Sequence, residues 1–547
     1  MARNTQNPRD QLVVATGGHN SGDDPLLIGE NQYANGKNVT VRGGRVNSRP
    51  RFVKRMDLPA GNYQGAKYFK TQDKLMLMSD GRLHEVRPQY GDTVEFTGFD
   101  WDSQARRVWF EDIADDLVMQ NGYQYPLAFD GQQVRSLQGV TPIGTCMRFA
   151  NNRLHLASSG GRKDLRIGDI YQPGVKDSAL KFTESTYLFG GGSLTMPDPI
   201  TSLMEMPVMD TASGQGSMIV GTKRNTISVR TEITQRDLWP SVTGFQNTVL
   251  PGIGFSGPLA VCHVNNDLYF RSPSGFRSLR LAVGELDSPG YGGLHQEIPE
   301  RFYQWGTWDA STVYFNDRVL TTVNPKILNG RYVYDGLVVI NFESINRLGQ
   351  KSPPAFDGYW DGLVFRELIS AGEKLSAIVV GTTGDELWEL MKDGSEFGGE
   401  SNLWQYIDTK VFHGGDSASL KNLLRGDVFL SNIRSNIELE VSYKKDSDNG
   451  FIPWHTGVIT YTDAGGVYDP NPIKSVISRH TLPTPPNGST SYGFQVRVAW
   501  KGQCQVDQVR IETEHISESM YMDNESSTLG EDETSYNTRQ IHEPTII

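Results

Sequence analysis

From about Ala66 to Leu390 the apolar positions fall in short runs, one or two strands long, separated by polar turns. In KYFKTQDKLMLMSDGRLHEV the pair Asp80-Gly81 sits between apolar stretches, and an Asp-Gly pair readily adopts the positive φ angles of a tight hairpin turn. Similar units follow at DDLVMQNGYQYPLAFDGQQVRSL, MRFANNRLHLASS, GSMIVGTKRNTISVRTEI, PLAVCHVNNDLYFRSPSGFRSLRL, NGRYVYDGLVVINFESI and LSAIVVGTTGDELWELM. They recur at roughly 30 to 60 residues, the spacing of propeller blades, in which each small sheet packs face to face on the next. The pattern predicts a β-propeller of about six blades over 66–396.

After Phe397 the runs lengthen and alternate strictly. In NIELEVSYKKD, Glu438, Glu440 and Ser442 oppose Ile437, Leu439, Val441 and Tyr443. Period two with one apolar face predicts a β-sandwich-like domain over 397–517. Residues 1–65 read as an N-terminal segment with the first strands, and 518–547 as a polar, acidic tail. The fold class is therefore all-β: a propeller followed by a sandwich.

Composition supports several domains. A chain of 547 residues exceeds the roughly 250 to 300 that one core serves. The 58 Gly and 27 Pro supply the turns of a strand-rich chain, and 10% aromatic residues supply core material. No run approaches the roughly 18 apolar residues of a membrane span, and MARNTQNPRD lacks the apolar centre of a signal peptide, so a cytoplasmic site of synthesis is expected. Cys146, Cys262 and Cys504 are scattered and odd in number, which reads as buried small side chains rather than a disulfide framework or zinc site.

The net charge of −12 is segregated. Between Glu512 and Glu543 stand nine carboxylates and one Arg, whereas Arg42, Arg45, Arg49, Arg51, Lys54 and Arg55 form a run without an acid. Six cations without neighbouring acids repel one another, so a partner of opposite sign is expected: an adjoining subunit in preference to DNA phosphates or bare solvent.

Motifs of catalysis are weak. Gly252-Ile253-Gly254-Phe255-Ser256-Gly257 spells a dinucleotide fingerprint, but prolines flank it and a strand follows, so it reads as a turn. Gly190-Gly191-Gly192 lacks the Gly-Lys-Ser/Thr of a phosphate loop. Trp101-Asp102, Trp308-Asp309 and Trp360-Asp361 lack the spacing of a WD repeat and read as core aromatics beside turn aspartates. Asp446 to Gly450 puts Lys445 where a calcium loop needs a carboxylate, so Asn449-Gly450 reads as a hairpin turn. Asp23-Asp24 and Asp115-Asp116 could serve a propeller glycosidase or simply cap turns. A carbohydrate-binding or glycoside-cleaving propeller is the alternative function.

The opening LLIGENQYANGKNVTVRGGRVNSRPRF, with Asn38, Val39, Gly43, Gly44, Arg49 and Pro50, resembles the start of the tail nozzle proteins of short-tailed bacteriophages. Further similar phrases are DDLVMQNGYQYPLAFDG, NRLHLASS leading into LRIGDIYQP, DPITSL before MIVGT, and GIGFSGPLAVCHVNNDLYFRSPSG. In order they reach about Leu281. The resemblance implies a structural virion subunit with no catalytic residues and no cofactor. Six copies would form a homo-oligomeric ring continuing the portal and adaptor channel of the tail. Its partners would be tail adaptor proteins, tail fibre or spike proteins, and double-stranded DNA in passage. Assembled in the host cytoplasm, such a ring retains packaged DNA and opens for ejection. The Gly-rich links at Phe189 to Ser193 (Gly190, Gly191, Gly192) and Pro289 to Gly293 (Gly290, Gly292, Gly293) have the backbone freedom expected of gate loops.

Overall fold

Pairs of left-handed residues close the hairpins. Asp80 and Gly81 (φ 48° and 74°), Asn151 and Asn152 (54° and 56°), Asn316 and Asp317 (47° and 55°), and Asn329 and Gly330 (51° and 75°) each join two antiparallel strands. Asn, Asp and Gly tolerate this conformation, and its twist matches that of the strands. The computed structural model of the chain describes residues 9–12, 17–159, 163–184, 189–206, 216–231, 235–241, 244–280, 307–343, 355–391, 403–414, 417–446, 448–460, 478–485 and 490–516.

These hairpins build blades in chain order. Blade one is Tyr63–Phe69, Lys74–Ser79, Arg82–Arg87 and Asp92–Phe96. Blade two is Trp109–Ile113, Asp116–Gln120, Leu127–Phe129 and Val134–Ser136. Blade three is Gly144–Ala150, Arg153–Ser158, Asp164–Ile167 and Gly192–Thr195. Blade four is Ile200–Glu205, Met218–Thr222, Thr226–Val229 and Gln246–Leu250, and blade five is Val261–Val264, Asp267–Ser272 and Gly275–Ser278. Blade six holds Thr312–Phe315, Arg318–Thr322, Arg331–Asn341 and the first part of Ala355–Ala371. Blade seven begins with the last part of that same strand, continues through Lys374–Val380 and Asp385–Leu390, and ends on Val53–Asp57.

Apolar cores fill every gap between successive blades. Leu77 and Val86 of blade one meet Ile369, Ile378 and Leu387 of blade seven, which closes the ring. Phe69 and Met78 meet Leu117 and Phe129; Val118 meets Leu154; Ile167 meets Val220; Ile219 meets Leu268; Val264 meets Val319; and Leu337 meets Ala377. These seven cores make a seven-bladed propeller, one blade more than the spacing suggested. The reason is physical: one 17-residue strand serves two blades, and the closing strand comes from the far end of the chain.

The second body is a sandwich. One sheet orders Ser478–Leu482, Lys421–Ser431, Gln505–His515, Arg45–Ser48 and Val39–Arg42. The facing strands are Gln32–Lys37, Gln405–Phe412, Phe494–Lys501, Ile437–Lys445 and Ile452–Ile459. Ile437, Leu439, Val441 and Tyr443 point into the shared core, as the alternation requires, beside Trp500, Val428 and Ile511. Tyr33, Val39, Val41 and Val46 belong to that core too. The segment 1–65 therefore does not simply precede the propeller, as the sequence reading had it. Residues 18–48 complete the sandwich, and Val53–Asp57 complete the propeller.

Candidate functional site

The basic run lies where the two bodies join. Asp357 is fully buried there, accepting hydrogen bonds from Thr40 Oγ1 at 2.5 Å, the Val41 amide at 3.0 Å and Asn341 Nδ2 at 3.1 Å. The Arg318 guanidinium, equally buried, stands 3.4 Å from Asp357 and donates to Thr40 Oγ1 at 2.8 Å. Tyr33 Oη donates to the Asp357 carbonyl at 2.8 Å, and burial first, then the Asp357 charge, pushes its pKa well up. Trp360 Nε1 donates to the Val39 carbonyl at 2.7 Å, and Asn38 binds Asp361 at 2.7 Å. Sandwich and propeller are thus joined through a largely buried polar network, which is stabilising only because its members satisfy one another.

The cations find their acids within the chain. Arg42 pairs with Glu343 at 3.4 Å, Arg45 with Asp507 at 2.9 Å, and Lys54 with Glu386 at 2.7 Å and Asp57 at 2.8 Å. Arg55 pairs with Glu389, while Arg49 is buried over the Phe52 ring at 3.7 Å. Arg51 is exposed. The expectation that this run is uncompensated on one copy, and so needs an adjoining subunit or DNA, is corrected: most of its acids lie hundreds of residues away in sequence but adjacent in space. The acidic tail 518–547 lies outside the described residues.

The first glycine link is pinned. Gly190, Gly191 and Gly192 are buried; the Gly190 carbonyl accepts from Arg153 at 2.8 Å, and the Gly191 amide donates to Asp169 at 2.9 Å. A Cβ on Gly191 would stand 2.1 Å from the Ile167 carbonyl oxygen, so glycine serves close approach rather than motion. This corrects the gate assignment for Gly190 to Gly192. Gly290, Gly292 and Gly293 lie outside the described residues.

The propeller axis carries a cavity of about 480 Å³ lined by the innermost strands. Ion pairs cross it: Lys67–Glu111 at 3.5 Å, Arg148–Glu111 at 3.6 Å, Arg148–Glu205 at 3.2 Å and Arg107–Glu367 at 3.0 Å. Burial raises the Glu367 pKa against the pull of Arg107, and Tyr63 Oη donates to it at 2.9 Å. The axis is thus laced by ion pairs.

Other motifs take structural places. Trp101 and Trp360 are buried, while Asp309 pairs with Arg106 at 2.7 Å. Asp116 pairs with Arg135 at 2.7 Å, and Asp24 caps the Leu26 amide at 2.9 Å, which is turn and ion-pair work. The three cysteines are buried, and desolvation lifts the Cys146 thiol to about 12. Among the described residues no His, Cys, Asp and Glu group is placed to hold a metal ion, and no helix is long and apolar enough to cross a membrane. Sequence reasoning missed Asp357, Arg318 and the axial pairs, because none shows a local spacing.

No family model and no curated relative matches the chain. Among solved structures it is similar to the β-propeller domain of Cps50 (Swd1) from Myceliophteria thermophila. That match has 10% identity over 62% of this chain and 99% of that domain, with a TM-score of 0.38. A likeness of that size carries no argument; the propeller rests on its own closed ring of cores.

Proposed function

We propose that this chain is a structural subunit of a tail nozzle in a short-tailed bacteriophage, one of six in a ring that continues the portal and adaptor channel. The observation that carries the reading is where the nozzle-like phrases fall. The opening phrase supplies Gln32–Lys37, Val39–Arg42 and Arg45–Ser48 of the sandwich, with Gly43 and Gly44 at its left-handed turn. The four later phrases supply strands of blades two, three, four and five in turn. The similarity thus runs through both bodies in one order.

In this reading the two bodies form one stiff wall element, and the lumen that retains DNA is formed between copies. An acidic protein suits such a lumen, since each tight phosphate contact would slow the passing duplex. Imaging of particles before and after genome release tests this. Six copies on the tail axis, with a lumen that is closed before release and passes duplex afterwards, is the expected outcome. A position off the axis, or a lumen equally wide in both states, overturns it.

A further inference from the structure

The loop 20–31, which links Gly18–His19 to Gln32–Lys37 of the sandwich, is a preformed knob. Asn20 is buried; its Oδ1 accepts from the Gly22 and Asp23 amides at 3.1 and 3.3 Å, and its Nδ2 donates to Asp23 at 3.0 Å and to Gln32 at 3.1 Å. Gln32 Oε1 also accepts from the Gly29 amide at 3.1 Å, the Pro25 carbonyl accepts from the Val411 amide at 2.9 Å, and Ile28 is buried. Held this way, the loop turns Leu26 (39% exposed) and Leu27 (77%) to solvent, and Leu27 is the most exposed large apolar side chain among the described residues. Asp23, Asp24 and Glu30 flank them and are exposed. Of the three, only Glu30 has a cation within pairing distance among the described residues, Lys410 at 3.8 Å. An apolar tip between carboxylates, already ordered before any contact, has the form of an interface anchor.

A socket of matching character lies on the propeller. A cavity of about 430 Å³ opens where the innermost strands of blades two, three and four begin, and Pro199, Ile200, Phe255, Pro273 and Trp308 give it an apolar lining. Lys223 is the one charged residue in that lining, and Arg224 follows it in the same turn. Both are exposed, and among the described residues neither pairs with a carboxylate. Asp198, beside the turn, is engaged by Asn225 Nδ2 at 2.9 Å. An apolar hollow edged by unpaired cations complements an apolar tip edged by unpaired carboxylates. Leu27 stands exposed, so the cavity of its own chain does not hold it.

We propose that the loop 20–31 of one copy docks in this cavity of the next, with Leu27 in the apolar lining and the loop carboxylates facing Lys223 and Arg224. Knob and socket occupy different surfaces of the chain, so the contact is head to tail and repeats from copy to copy until a ring closes. The inference rests on the ring-subunit reading and names the contact that builds the ring. Sedimentation equilibrium of the full chain up to millimolar concentration tests it. Self-association is expected, weaker at high salt. Leu27→Asp should weaken it about tenfold or more, and Lys223→Glu with Arg224→Glu about fivefold to tenfold. These side chains are exposed, so the variants keep the fold. Proximity is read separately by mixing Leu27→Cys chains with Lys223→Cys chains and adding a short bismaleimide, to which the buried Cys146, Cys262 and Cys504 offer no thiol. A cross-linked dimer is expected from the mixture and from neither variant alone. Association that ignores Leu27→Asp or the charge reversal, or a mixture without cross-linked dimer, overturns this contact and leaves the ring reading intact. A chain that stays monomeric throughout overturns it equally, and the particle images then decide the ring alone.

Discussion

The propeller and the sandwich are both all-β and both close on apolar cores, but they obtain closure differently. Six of the seven blade interfaces join segments that follow one another in the chain, and only the last, through Val53–Asp57, reaches back to the start. In the sandwich, Tyr33 of one chain end pairs with Thr409 of the other, and Val46 with Val506. A body made of local hairpins tolerates loss of distant segments. One made of two chain ends depends on both, and on the junction that holds them in register.

Deleting residues 1–48 is the sharpest way to break this contrast. It removes Tyr33, Val39, Val41 and Val46 from the sandwich core but leaves all seven blades their strands. The sandwich is expected to unfold and the propeller to persist, which hydrogen exchange by mass spectrometry reads directly: protection lost across 405–515 and kept across 63–280. Loss of protection in both would show that the bodies fold as one unit.

Asp357→Ala comes next. It leaves the Arg318 guanidinium buried without its carboxylate and removes acceptors for Thr40 and Asn341, so a loss of about 3 to 5 kcal/mol is expected. Denaturant unfolding followed separately in each body should show both losing stability, because the residue belongs to their junction. A loss confined to the propeller would mean that the junction is not a stabilising contact.

Acid should separate the bodies by a smaller amount. Burial holds His19 of the sandwich and His155 of the propeller at about 4, below the ordinary 6.5, so protonating them costs both bodies stability as pH falls through that window. Two carboxylates carry opposite signs. Burial opposes ionisation of Asp427 in the sandwich, but Arg479, Arg510 and Thr481 outweigh it and hold its pKa below 3.8. That contribution is complete above 3.8 and lost as pH falls through the depressed value. Glu367 on the propeller axis is raised above 4.5 by burial, so the cost of keeping it charged is relieved as pH falls through its raised value. Exchange protection of Lys421–Ser431 should therefore fall below about pH 4 more steeply than that of Ala355–Ala371, and Asp427→Asn should remove the difference.

What the sequence made legible follows the same division. Asp80-Gly81 and the alternation from Ile437 to Tyr443 declare strands and turns by local chemistry, and both stand as read. The seven strand-turn units fall one in each blade, yet about six blades were expected, because uneven spacing does not reveal that Ala355–Ala371 serves two blades and that Val53–Asp57 closes the ring. The cation run from Arg42 looked bare because Glu343, Glu386 and Glu389 stand about 300 residues downstream. Gly252 to Gly257 read correctly as a turn, but nothing in six residues announces the indoles of Trp109 and Trp308 across from it.

The strand Val53–Asp57 sets a timetable for biosynthesis. It leaves the ribosome before its pairing partner Asp385–Leu390, which is made roughly 330 residues later, a wait of some 15 to 65 seconds at about 5 to 20 residues per second. Throughout that interval Gln32–Lys37 and Arg45–Ser48 also lack their partners in Gln405–Phe412 and Gln505–His515. The first blades can stack as they emerge, whereas Gln32–Lys37 and Arg45–Ser48 must be kept from wrong pairings until their partner strands in 405–515 are made.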